Sequence, residues 1–120
     1  MTDEFAKVSE KEINEDLEDI SKILDSCKND NDLKEKCQEI KNHLHKIKGL
    51  APMMGKKGIS EIASINDSLL KEILEDNMVD GIFETIRESN QLMKNLMQDS
   101  TIGINEFIKT IKTKYSAFLD

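Results

Sequence analysis

From Leu33 the sequence sets down an apolar residue every three or four positions, through Cys37, Ile40, Leu44, Ile47 and Ala51 to Met54. Residues three and four apart lie on one face of an α-helix, so this run is a single unbroken stripe along a long helix. Such a stripe is unstable in water until other helices cover it. That requirement sets the fold class as all-α and makes the rest of the chain a search for partner helices.

The partners are legible. Ile13, Leu17, Ile20, Leu24 and Cys27 mark a first helix over about Thr2 to Lys28, with Glu12, Glu15, Asp16, Glu18 and Asp19 read as its outer face. Asn29 to Asp32 breaks the pattern, and Asn31 or Asp30 is placed to accept the first free amides of the next helix. A third helix over about Ile59 to Glu75 carries Ile59, Ile62, Leu69 and Ile73, interrupted by Asn66, which reads as a structural polar contact across helices. Asp80 is the expected N-cap of a fourth helix over about Gly81 to Gln98, and a fifth runs from Ile104 almost to Asp120. Connections this short join antiparallel neighbours. The expected architecture over residues 1–120 is one domain, an antiparallel up-and-down four-helix bundle with an additional C-terminal fifth helix.

Charge narrows the functions. A net charge of −7 with 34% charged residues disfavours general binding to nucleic acid or anionic membranes. No apolar run approaches the roughly 20 residues of a membrane span, and Met-Thr-Asp-Glu is not the start of a leader, so a cytoplasmic setting is expected. Cys27 and Cys37 fall on apolar seams and read as buried thiols; a cytoplasmic setting argues against a disulfide, and there is no second pair to build a zinc site. No metal site and no nucleotide-binding signature is present in the sequence.

Against that acidic background one stretch is basic. Between Ile40 and Ser60 there is no acidic residue, and Lys41, His45, Lys48, Gly49 and Pro52 form a second stripe rotated by about 100° from the apolar one. His45 therefore sits at the edge of the core on a cationic platform to which Lys46, Lys56 and Lys57 add. Glycine inside a helix costs about 1 kcal/mol, so Gly49 needs a packing or access reason. Pro52 predicts a bend in the last turn before Gly55. A hairpin turning near Lys56 and Lys57 puts His45 level with Asp67, with Ser64 and Lys71 a turn from that acid. His43, rotated by about 200° from His45, reads as a plain surface residue.

The run His45-Lys46-Ile47-Lys48-Gly49 followed by Leu50-Ala51-Pro52-Met53-Met54-Gly55 resembles the histidine phosphotransfer (HPt) family, most closely the N-terminal phosphotransfer domains of CheA-type chemotaxis histidine kinases. The resemblance implies a helical bundle with an extra helix, and it implies that His45 is phosphorylated by a histidine kinase ATP-binding domain and passes the phosphoryl group to an aspartate of a response-regulator receiver domain. It implies no cofactor in the chain itself, since ATP and Mg²⁺ belong to the partner domains. In that family a glutamate on the following helix holds one imidazole nitrogen, and counting from the histidine places Asp67 in its position. Lys48 would offset phosphoryl charge, and Gly49 would leave room for a partner's loop. The expectation from outside the resemblance is a helical adaptor whose cationic patch, including Lys41, Lys46, Pro52, Lys56 and Lys57, docks an acidic protein without phosphorylation.

Overall fold

The computed structural model describes residues 2–119, and within them every regular element is helical. Helix α1 spans Asp3–Asp25, α2 Asp30–Leu50, α3 Lys57–Leu74, α4 Ile82–Gln98 and α5 Asn105–Lys114, with a 3₁₀ turn at Pro52–Met54. The apolar seams meet in one core. Ile13, Leu17 and Ile20 of α1, Leu33, Ile40, Leu44 and Ile47 of α2, Ile59, Ile62, Leu69 and Leu70 of α3, and Ile82 of α4 are all essentially removed from water. Helix α2 is the element shared by the others: α1, α3 and α4 all pack on it, and α4 also touches α1 and α3. The radius of gyration, 13.9 Å, is close to the roughly 13.6 Å that a single compact domain of this length would have.

Local chemistry explains where the elements stop, and it corrects several expectations. Asn29, not Asn31 or Asp30, caps α2, its side chain accepting from the Asp32 amide at 2.9 Å. Asp30 is used far away in sequence: its carboxylate accepts from the amides of Gly81 and Phe83, both at 2.8 Å. This is the cap of α4, a role the sequence suggested for Asp80. A carboxylate at a helix N-terminus binds free amides and faces the positive end of the dipole, so one residue ties the start of α2 to the start of α4.

Pro52 does more than bend α2. It stops the α-helix at Leu50 and opens the 3₁₀ turn, after which Gly55 takes a left-handed conformation (φ 72°) that a side chain would resist. Helix α5 ends at Lys114, earlier than the apolar pattern suggests. Tyr115 is buried with its hydroxyl 2.6 Å from that of Thr85 on α4, and Phe118 and Leu119 turn back as half-buried residues against the core. Asn66 bridges helices as expected, accepting from Ser89 Oγ at 3.1 Å, and Asn90 of α4 donates to the Leu17 carbonyl and to Ser21 on α1. Cys27 and Cys37 are both free and buried, as expected. Asp120, at the end of the expected fifth helix, lies outside the described residues.

Candidate functional site

Helix α2 carries both histidines, and its two flanks treat them differently. His45 is exposed, at mid-helix, with Leu44 and Ile47 of the buried seam on either side of it in sequence. Among the described residues its ring has no hydrogen-bond or ion-pair partner. Lys41 lies four residues before it and Lys48 three after, one helical turn in each direction. Both lysines reach across to α3 and bind the same acid, Lys41 Nζ to Asp67 Oδ1 at 2.9 Å and Lys48 Nζ to Asp67 Oδ2 at 3.1 Å.

That geometry changes the expected role of Asp67. The hairpin does bring it level with this part of α2, and it is buried, but its two oxygens are occupied by lysines and it does not hold the His45 imidazole. Burial pushes its carboxyl up, yet the hydrogen bonds and charges of Lys41 and Lys48 outweigh that and hold it below the usual carboxylate range. Asp67 is thus an anionic staple that fixes the ammonium groups of the two lysines one helical turn before and after His45. Two ammonium groups against one carboxylate leave a positive charge in excess beside the ring. Ser64 and Lys71 are not bonded to Asp67; Lys71 lies 4.0 Å from Glu75 on its own helix.

Gly49 completes the face. A Cβ built there meets nothing within 4 Å, so packing does not explain the glycine and the surface beside His45 is open. Pro52 and Lys57 are exposed and Lys56 is half-buried, just past the end of α2. Lys56 and Lys57 sit at the start of α3, and neither is paired with an acid among the described residues.

His43 is not the plain surface residue that the rotation suggested. It is half-buried against α1, with Nδ1 2.8 Å from Oδ1 of Asp16. Asp16 is itself only 2% exposed, where the sequence read it as part of the outer face of α1. Lys46 also turns to this side, its Nζ 2.8 Å from the same Oδ1. The bond to Asp16 draws the Lys46 ammonium away from His45 and raises its pKa. Lys46 therefore leaves the platform on which sequence reasoning placed it.

The missed cluster had a signal. Asp16 sits three residues after Ile13, one before Leu17 and four before Ile20, inside the i, i+3, i+4, i+7 stripe of α1, and His43 stands in the same relation to Ile40, Leu44 and Ile47. Two polar residues on two apolar stripes that face each other are candidates for a buried pair. The chain matches no family model, curated protein or solved structure. Among the described residues no cluster of acidic, histidine and cysteine side chains is suited to hold a metal, and no helix is long and apolar enough to cross a membrane.

Proposed function

We propose that the chain is a phosphocarrier of the histidine phosphotransfer type, an up-and-down bundle in a cytoplasmic setting whose His45 takes a phosphoryl group from a histidine kinase ATP-binding domain and gives it to a receiver aspartate. The observation that carries this reading is an imidazole open to solvent between two lysines that a buried carboxylate holds in place, beside a helical glycine with empty space around it. A phosphoryl acceptor must be reachable, must have a neutral ring nitrogen as nucleophile, and must have cations near enough to offset the arriving charge. His45, Lys41 and Lys48 meet the first and third conditions. The second is met by any neutral imidazole, and with no side chain among the described residues bonding the ring, the docked kinase domain sets its orientation.

Asp67 acts in this reading through the lysines. Its carboxylate keeps both ammonium groups from folding away along α2 before phosphate arrives, and its burial keeps them on the α3 side. Gly49 leaves the approach clear for a loop of the partner. Lys56, Lys57 and Pro52 lie along the same end of α2 and extend the docking surface for an acidic receiver site.

The test is incubation with labelled ATP and histidine kinase ATP-binding domains from the same organism. Wild type is expected to take up acid-labile, alkali-stable label, and a folded His45→Gln protein to take up none. Equal label on the variant would overturn the assignment. Failure of every kinase domain to label wild type would favour the adaptor role, in which the same cationic face binds an acidic protein unphosphorylated.

A further inference from the structure

The proposed carrier role makes no use of the second imidazole of α2, and that imidazole is the one whose geometry is fixed. His43 Nδ1 and Lys46 Nζ each lie 2.8 Å from Oδ1 of Asp16, while Oδ2 of the same carboxylate is buried without a hydrogen-bond partner. Oδ1 belongs to a carboxylate paired with an ammonium and has no hydrogen to give, so it accepts from the ring and Nδ1 carries the hydrogen. In the neutral ring the lone pair is then on Nε2. The side chain keeps 18% of its surface open to solvent, whereas the Asp16 side chain keeps 3%. The arrangement is an oriented base of the kind that activates nucleophiles, a carboxylate fixing one ring nitrogen so that the other is free.

We propose that His43 is a second nucleophilic imidazole, able to accept a phosphoryl group at Nε2 from a small phosphoryl donor, with Asp16 as its positioning residue. The step balances without a further reagent when the donor is phosphoramidate. The Nε2 lone pair forms a bond to phosphorus, the bond from phosphorus to the donor nitrogen breaks, and ammonia leaves with the protons it already carried. The ring keeps its Nδ1 hydrogen and becomes cationic, and the Asp16 carboxylate in contact with that hydrogen stabilises the charge as it forms. Lys46, bonded to the same oxygen, adds a positive charge to the cluster.

Two features define this cluster. The ring nitrogen and the Lys46 ammonium crowd onto one carboxylate oxygen and leave the other buried with no partner, whereas each oxygen of Asp67 faces an ammonium of its own. And the cluster joins α1 to α2, so its geometry exists only in the folded chain.

The experiment uses the full chain and phosphoramidate, with the modified residues located by fragmentation mass spectrometry and by ³¹P spectra. Wild type is expected to carry phosphohistidine at both 43 and 45. His45→Gln keeps the label at 43, and His43→Gln keeps it at 45. Asp16→Asn is expected to slow labelling at 43 by at least about tenfold, the scale on which outer partners of functional histidines act, and to leave 45 unchanged. Ring ¹⁵N spectra should show Nδ1 of His43 protonated in wild type, and the selective loss of rate at 43 with 45 unchanged in a folded Asp16→Asn protein is the readout that a merely structural Asp16 would not give. Should Asp16→Asn fail to fold, the same labelling in urea provides the comparison: His43 is expected to react faster in the folded chain than in the unfolded one. Label at 45 alone, an Asp16→Asn rate equal to wild type, or faster reaction of His43 in urea would each overturn the proposal. None of these outcomes bears on whether a kinase labels His45, so the two readings fail separately.

Discussion

Two buried aspartates, Asp16 on α1 and Asp67 on α3, each bind two basic groups of α2, and the contrast between them organises the molecule. Asp67 gives one oxygen to each lysine and draws them from seven residues apart, Lys41 and Lys48, leaving His45 open between them. Asp16 gives a single oxygen to both of its partners, takes them from one turn, His43 and Lys46, and leaves its other oxygen buried and unbonded. The same residue type in similar burial thus does two jobs. One acid holds the lysines a turn either side of an open imidazole, and the other draws an imidazole half under the surface and orients its ring.

The largest effect expected from breaking this contrast comes from stripping Asp67 of both partners. Lys41→Met with Lys48→Met leaves a buried carboxylate unpaired and should cost about 3 kcal/mol in urea unfolding, the scale for a broken buried ion pair. Asp67→Leu, which removes the buried charge and lets the lysines return to water, should cost far less. A double-lysine variant as stable as wild type would show that Asp67 is solvated and not a staple. On the other flank, Asp16→Leu should be neutral or stabilising by about 1 kcal/mol, because it removes an oxygen that lacks a partner. A large loss there would mean that the cluster is a structural ion pair.

In function the same flank is expected to dominate, and the effect sharpens the contrast. Asp67→Ala is expected to slow kinase-dependent labelling of His45 several-fold with the helices intact by circular dichroism, while Asp16→Asn leaves that rate unchanged. Unchanged kinetics in Asp67→Ala would remove it from the mechanism.

Acid titration probes the Asp67 pairs further. Lys41 and Lys48 hold the Asp67 carboxyl below its usual range, so its ion pairs contribute stability above the unfolded-state pKa, and that stability is lost as pH falls through the lower folded value. Wild type should therefore lose stability in the acid range below about pH 4, and Asp67→Asn should lose less over that window, as read from urea midpoints. The smallest effect belongs to Gly49→Ala. With nothing within 4 Å of an added Cβ, it should stabilise α2 by up to about 1 kcal/mol and slow phosphoryl uptake by crowding the approach to His45. Unaltered uptake would remove the access argument for the glycine.

Much of this was legible in the sequence, and the exceptions share one cause. Helix number, the α2 seam and the open position of His45 follow from periodicity, because an apolar stripe is a local property of neighbouring turns. What periodicity cannot give is which distant group a polar side chain meets. Asp30 reads locally as a cap for its own helix, yet it binds amides at Gly81 and Phe83. Asp67 was found by counting across a hairpin, but the count fixes height and not which of three basic side chains on α2 takes the carboxylate. A charged side chain among acids reads as solvent-facing at Asp16, and rotation away from His45 reads as surface at His43, yet Asp16 is buried and His43 half-buried where the stripes of α1 and α2 meet. Tyr115 shows the same limit at the end of α5, where a hydroxyl contact to Thr85 accompanies the end of the helix while the apolar pattern continues.

The carrier role is tested most directly by following a phosphoryl group off the chain. Protein labelled with phosphoramidate would be mixed with Mg²⁺ and receiver domains from the same organism, and label on the receiver aspartate measured over time. Wild type and His43→Gln are expected to hand it on, and His45→Gln to hand on none. Transfer from His45→Gln at the wild-type rate, or no transfer from wild type to any receiver, would contradict the account.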